Sequence, residues 1–290
     1  MRNINITGKT RVCGIIGDPI EHTLSPVMQN AAFREMGLDY IYLPFKVAEG
    51  NLSEAIDGLR ALNMAGINVT IPHKVVVIPL LDDIDGLAGY IGAVNTIVNQ
   101  GGSLKGYNTD ASGFYQALTA NKIVVSKKKI VILGAGGASR AIAFILADKG
   151  AELTILNRSL DSAQTIAERV FQALRTEIKV GKLTVKNLEP VLDEADILVN
   201  TTSLGMSPDL TETPVPARLL KKELVVFDII YNPLKTRLIK EAEKEGARVL
   251  NGLEMLVRQG AAAFELWTGL KAPIEVMRKA ARDAMEENEK

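Results

Sequence analysis

Apolar residues in this chain fall into short β-branched runs, separated by longer stretches in which apolar positions recur with helical spacing. The runs predict strands at 12–17 (VCGIIG), 41–47 (IYLPFKV), 67–71 (INVTI), 95–99 (NTIVN), 129–134 (KIVILG), 152–157 (ELTILN), 196–200 (DILVN) and 224–229 (LVVFDI). Amphipathic segments of helix length fill most of the gaps. Strands that alternate with helices predict an α/β fold with a largely parallel sheet. No unit repeats at a fixed period, and no tract is of low complexity. The polar and basic run NKIVVSKKK at 121–129 is the nearest thing to a linker, so a domain boundary is expected close to it. From Leu253 to Lys290 the pattern is helical, and the charged tail EENEK is expected to be a solvated helix end.

A chain of 290 residues is long enough for two medium domains. Lysine plus arginine equal aspartate plus glutamate at 34 each, so no overall field favours nucleic acid or an anionic membrane, and a small molecule is the expected partner. The single cysteine, Cys13, excludes an intrachain disulfide and reads as a buried small hydrophobe. The opening MRNINITGKT lacks the apolar core of a signal peptide, which predicts a cytoplasmic protein. The apolar run AIAFILA at 141–147 stops at Asp148, far short of a membrane span. With only His22, His73 and Cys13 as nitrogen or sulfur ligands, a dedicated metal site is poorly supplied.

The segment KIVILGAGGASRAIAFILADKGAELTILNRS reads as strand, glycine-rich turn, helix and second strand. Gly134 and Gly136 fill the first two glycine places of the dinucleotide fingerprint, and Ser139 takes the third as another small residue. The first permits a tight turn and the second lets backbone approach a pyrophosphate, while Ala138 and Ser139 let helix and strand pack closely. At the tip of the second strand, an acidic residue would bind the ribose 2′-hydroxyl of NAD. The chain has Asn157, Arg158 and Ser159 there, which favours the 2′-phosphate of NADP. Asp161 follows closely and no second arginine stands in the next turn, so NAD stays as the alternative. Two later segments, VNTTSLGM (199–206) and DIIYNP (228–233), also end strands where open α/β sheets bind ligands.

The front half carries polar residues at its own strand ends: His22 to Pro26, Asn68 to Lys74, Gly92 to Thr96, and Gly106 to Asp110. Together with the glycine-rich loop, Asn157-Arg158-Ser159, Thr202-Ser203-Leu204-Gly205-Met206, Asp228 to Pro233, and the closing Gly252, Met255-Leu256 and Gln259, these motifs run in order from Gly17 to Trp267. In them the chain resembles the shikimate/quinate dehydrogenase family.

The resemblance implies two α/β domains with a cleft between them. Residues 1–113, completed by helices at 253–290, would bind substrate, and 114–252 would form a Rossmann-like NADP domain. It implies reversible NADPH-dependent reduction of 3-dehydroshikimate to shikimate, a step toward chorismate and the aromatic amino acids. Lys74 and Asp110 match the family's catalytic pair. A ketone that accepts hydride becomes an alkoxide, and a cation beside that oxygen suits it. Which of the two transfers the proton is left open. Thr23 and Ser25 match the carboxylate-binding places, with Tyr231 nearby, and Thr70, Asn95, Asp110 and Gln259 match those that grip hydroxyls. Thr23 stands where serine is commoner, and its methyl narrows the pocket rim, which leaves the preference between shikimate and quinate open. The cofactor set is Gly134, Ala135, Gly136, Gly137, Ala138, Asn157, Arg158, Ser159, Thr201, Thr202, Ser203, Met206, Gly252 and Met255. His73 falls at a variable place of its motif and is left out of catalysis, as is His22. The expected assembly is a monomer or homodimer without nucleic acid or membrane. The rival readings are an NAD-using quinate/shikimate dehydrogenase and a nonenzymatic dinucleotide-binding module.

Overall fold

A computed structural model describes residues 6–288, so the first five residues and the last two of the charged tail lie outside the described residues. The chain divides into two compact units, Met1–Gly113 with Val257–Lys290, and Phe114–Leu256.

The first unit opens with β1 (Arg11–Gly17), α1 (Ser25–Glu35), β2 (Tyr40–Lys46), α2 (Leu52–Ala61) and β3 (Gly66–Val69). β1 is central and pairs in parallel with both β2 and β3. The strand expected at 67–71 stops at Val69, where the chain enters the turns around Pro72, a residue with no N–H for a ladder. Then come β4 (Asp83–Ile84), α3 (Gly86–Ile91), β5 (Thr96–Gln100), β6 (Ser103–Tyr107) and α4 (Asp110–Ala120). The sheet order is β2-β1-β3-β5-β6-β4. β5 runs antiparallel to both β3 and β6, so this sheet is mixed. Gly101 and Gly102, at φ +68° and +100°, join β5 to β6 across the pair Gln100↔Ser103. A two-residue loop with positive φ at both places can only connect antiparallel neighbours.

The second unit holds β7 (Lys129–Leu133), α5 (Gly137–Asp148), β8 (Glu152–Asn157), α6 (Leu160–Leu174), β9 (Lys179–Lys182), α7 (Val185–Asp193), β10 (Ile197–Asn200), β11 (Val225–Asp228), α8 (Arg237–Lys244) and β12 (Arg248–Leu250). Every pair is parallel, in the order β12-β11-β10-β7-β8-β9. From β7 the chain winds outward through β8 and β9, then returns to wind the other way. The switch point therefore lies between β7 and β10. The edge strands β9 and β12 carry Lys179, Lys182 and Arg248, which break the apolar pattern that marks the inner strands.

The division between units falls at Gly113–Phe114, inside α4, and not at the run 121–129. That run lies within the second unit and leads into β7. Phe114 stacks on Phe227 of β11 at 4.8 Å, so α4 is committed to the second unit from that residue on. The return falls at Leu256–Val257, inside α9 (Leu253–Thr268), so residues 253–256 group with the second unit. The chain is tied there by the Gly252 N–H, which donates to the Ile230 carbonyl at 3.0 Å.

The rest of α9 and α10 (Ile274–Asn288) complete the first unit. Phe264 stacks on Phe33 at 5.3 Å, Gln29 donates to the Gly260 carbonyl at 2.8 Å, and α10 packs along α1. Trp267 lies over the sheet, and its indole N–H donates to the Ile97 carbonyl at 3.0 Å. That seat needs Gly66, since a Cβ there would come 2.3 Å from both the Ile97 oxygen and Trp267 Nε1. Gly66→Ala is expected to lose about 1–3 kcal/mol of stability by overpacking, read as a lower urea midpoint. Gly86→Ala, at a site with no atom within 4 Å of the added carbon, is the matched control.

Candidate active site

In the first sheet, β1 and β3 point their carboxyl ends the same way, and antiparallel β5 brings its amino end to that edge. β6, antiparallel to β5, brings its carboxyl end there too. The turns 18–25, 70–74, 92–95 and 108–110 are thus gathered on one side of the sheet. The expected strand-end residues meet because of one change of strand direction.

Lys74 and Asp110 form the centre of this edge. Lys74 Nζ stands 2.5 Å from Asp110 Oδ2, and the two side chains are 14% and 6% exposed. The other carboxylate oxygen accepts from the Asn95 amide at 2.8 Å. Asn95 also donates to Thr109 Oγ1 at 2.9 Å, while its own Oδ1 accepts from the Thr109 N–H at 2.7 Å. Gln259, on α9, reaches the same amide at 3.5 Å. The backbone of Lys74 is fixed by the Val94 N–H, which donates to its carbonyl at 2.7 Å.

Three supports of this centre were assigned no role from the sequence. Buried Asn68 donates to the Asn95 carbonyl and to Thr96 Oγ1, both at 3.0 Å, and accepts from the Tyr42 hydroxyl at 2.7 Å. Thr109 closes the ring of bonds with Asn95. Buried His73 places Nε2 2.7 Å from the Val47 carbonyl. Only a protonated Nε2 can make that bond, so the ring tethers the Lys74 turn to the end of β2. The signal for Asn68 was present, an amide inside an apolar strand that must be satisfied if buried.

Thr70 continues β3, with its N–H on the Ile16 carbonyl at 3.0 Å, and a Cβ on Gly17 would meet its methyl at 2.4 Å. Thr23 and Ser25 lie in the turn into α1, where Thr23 Oγ1 accepts from the Ser25 N–H at 3.3 Å. At the start of α1 the Ser25 N–H is thus taken by Thr23, and the next residue, Pro26, has no N–H to offer, so an anion there would be met by side-chain hydroxyls rather than by the helix start.

In the second unit, Gly134 sits at φ +102°, and a Cβ there would meet Thr201 Oγ1 at 2.6 Å. This close approach marks the switch point, where open α/β sheets take ligands. Ser139 donates to the Gly134 carbonyl at 2.8 Å and is fully buried, which holds α5 against β7. Gly136 caps α5 without a side chain, and a Cβ built on it meets nothing within 4 Å. Ala135, Gly137 and Ala138 complete the turn. Bare backbone, an uncapped helix start and open space fit a dinucleotide pyrophosphate.

Asn157 closes β8 and donates to the Ser159 carbonyl at 2.9 Å, while Ser159 caps α6. Arg158 between them is exposed. Thr201 gives its hydroxyl proton to the Leu133 carbonyl at 2.6 Å, and Thr202 gives its own to Asn200 Oδ1 at 2.7 Å. Those protons are spent on shaping the loop. Ser203 and Met206 are exposed at its tip, Tyr231 follows β11, and Met255 is buried in the first turn of α9. Gly252 admits no side chain, as a Cβ would fall 1.9 Å from the Ile229 oxygen.

Asn200 and Asp228, named from the sequence only as parts of strand-end motifs, form a polar cluster with Thr236, which the sequence did not single out. Asn200 and Asp228 are register partners at the ends of β10 and β11. Asp228 accepts from Asn200 at 3.0 Å, from the Ile230 N–H at 3.2 Å and from Thr236 at 2.7 Å. Burial outweighs these bonds and pushes the Asp228 carboxyl up to about 6. A charge that closes the apolar run LVVFD was the available signal.

A raised carboxyl pKa means that the folded state holds the proton more tightly than the unfolded chain. The resulting stability is fully present below the ordinary carboxylate value and is lost as pH rises through about 6. Urea unfolding of the wild type and Asp228→Asn is expected to show the variant gaining about 1.4 kcal/mol relative to wild type between pH 5 and pH 8. A parallel pH dependence of the two proteins would contradict the raised value.

Comparison with known proteins adds independent findings. Residues 15–97 match the shikimate dehydrogenase substrate binding domain, residues 118–234 the shikimate/quinate 5-dehydrogenase model, and residues 252–282 the shikimate 5′-dehydrogenase C-terminal domain. A shikimate dehydrogenase (NADP(+)) of Dehalococcoides mccartyi strain CBDB1 is 48% identical over 277 residues, covering 96% of this chain and 97% of the relative. A solved shikimate dehydrogenase in complex with NADP+ superposes with a TM-score of 0.92 at 45% identity, covering 97% of this chain and 98% of that one. The Thermus thermophilus enzyme, solved with NADP(H) and shikimate, gives a TM-score of 0.85 at 37% identity, with 94% and 99% covered.

Proposed function

The chain belongs to the shikimate/quinate dehydrogenase family, and from that premise we propose that it reduces 3-dehydroshikimate to shikimate reversibly, with Lys74 and Asp110 at the reacting oxygen. It is an NADP-dependent oxidoreductase of the shikimate pathway. The observation that carries the site assignment is the Lys74–Asp110 pair at 2.5 Å, held by Asn95.

NADPH, when bound, supplies the hydride pair for the ring carbonyl carbon. Lys74 presents its ammonium to the carbonyl oxygen, offsets the negative charge that develops there and delivers the proton that makes the hydroxyl. Solvent returns a proton to the amine. Asp110 holds the ammonium in place with one oxygen and is itself held by Asn95 through the other, so the pair stays aligned through the cycle. In the oxidative direction the same amine accepts the proton. Thr23 and Ser25, in the turn into α1, bind the ring carboxylate, and Thr70, Asn95 and Gln259 bind ring hydroxyls. Gly134 to Ala138 seat the pyrophosphate, with Thr201, Thr202, Ser203, Met206, Gly252 and Met255 shaping the rest of the cofactor site, and Asn157, Arg158 and Ser159 meet the 2′-phosphate. The balanced charge supports a small-molecule partner and no nucleic acid.

Initial rates of shikimate and quinate oxidation, each with NADP and with NAD, test this reading. Shikimate with NADP is expected to be the fastest pair, and Lys74→Ala to lower its kcat by about 10²–10⁴-fold with little change in the KM for NADP. A faster rate with quinate and NAD, or a variant with wild-type kcat, would overturn it.

A further inference from the structure

The phosphate that separates NADP from NAD is a monoester with a charge of about −1.5 to −2 at neutral pH. Arg158 offsets about half of that. The first turn of α6 adds no cation, since it reads Leu160-Asp161-Ser162-Ala163, and Asp161 works against Arg158. The sheet provides a second cation from the neighbouring strand. β9 pairs with β8 from Thr154↔Lys179 to Asn157↔Lys182, so Lys182 ends its strand level with the residue that ends β8. Register partners stand on one face of a sheet, with backbones about 4.8 Å apart. A four-carbon stem covers such a separation easily.

The register is pinned beyond the strand ends. The Leu183 N–H donates to the Asn157 carbonyl at 3.0 Å, and the Asn187 side chain donates to the Lys182 carbonyl at 2.8 Å. At Gly181 a Cβ would already stand 3.0 Å from Leu156, so the two strands run close just before their tips. At the amino end of the same sheet, Lys128 and Lys129 are paired with Asp196 and Glu194. Lys182, at the ligand end, is exposed and has no carboxylate partner among the described residues.

We propose that Lys182 is a second cation of the 2′-phosphate site and acts with Arg158 to set the preference for NADP. The proposal rests on the NADP reading above. Because Lys182 meets the phosphate as a point charge from an adjacent strand, it supplies charge where Arg158 supplies planar hydrogen bonding.

Calorimetric titration of the full chain with adenosine 2′,5′-bisphosphate and with adenosine 5′-monophosphate tests it without turnover. The ratio of the two affinities measures what the 2′-phosphate contributes. Lys182→Gln is expected to reduce that ratio about tenfold, and Lys182→Arg to restore most of it. The ratio in the wild type is expected to fall with added salt more steeply than in Lys182→Gln. If Lys182→Gln keeps the wild-type ratio while Arg158→Ala loses it, Lys182 has no part in the site and the NADP reading stands. If the wild type itself shows no advantage for the bisphosphate, the NADP reading falls and this proposal with it.

Discussion

The first unit is organised around keeping an ammonium and a carboxylate adjacent, mostly out of water, with both carboxylate oxygens hydrogen-bonded. A buried ion pair loses so much hydration that it is sustained only when the remaining lone pairs are also satisfied. Here Asp110 has one oxygen on Lys74 and the other on Asn95, and Asn95 is in turn closed by Thr109 and carried by Asn68. Lys74, Asn95 and Asp110 come from three different turns. The arrangement depends on β5 running against β3, because a parallel β5 would carry Asn95 to the far edge of the sheet.

The second unit meets a different constraint with different means. The side chains near Gly134 are small and the space beside Gly136 is open, as the proposed pyrophosphate site requires, since a phosphate there would touch backbone. Threonines that could be taken for ligands give their protons to the protein itself, and this fixes the shape of the loop after β10. The buried Asp228 then links that loop to the one after β11 through Asn200 and the Ile230 N–H. An ion pair in one unit and bare backbone in the other suit the two kinds of ligand proposed, a ring to be reacted and a phosphate to be held.

The inner strands other than β6, the glycine-rich turn and the polar strand ends were legible along the chain, because apolar period, φ tolerance and side-chain chemistry are local properties. β6 and the edge strands β4, β9 and β12 were not, since short segments broken by glycine, lysine, arginine or aspartate carry little apolar signal and form because a neighbour offers hydrogen bonds. Composition alone also put the crossing between units too far along the chain, whereas the family resemblance put it at 113–114. A basic, loop-like run at 121–129 has the composition of a linker, yet the chain crosses within α4, where Phe114 finds Phe227.

By itself the sequence determined which residues are able to do chemistry: one lysine after a strand, one aspartate before a helix, glycines that permit a phosphate and an arginine where NAD would want an acid. Only the tertiary structure decided which of them meet. The change of strand direction at β5 joins Lys74, Asn95 and Asp110, and the register of β9 against β8 sets Lys182 beside Asn157. Both follow from pairing between segments far apart in the chain, a contact that no local pattern of residues encodes.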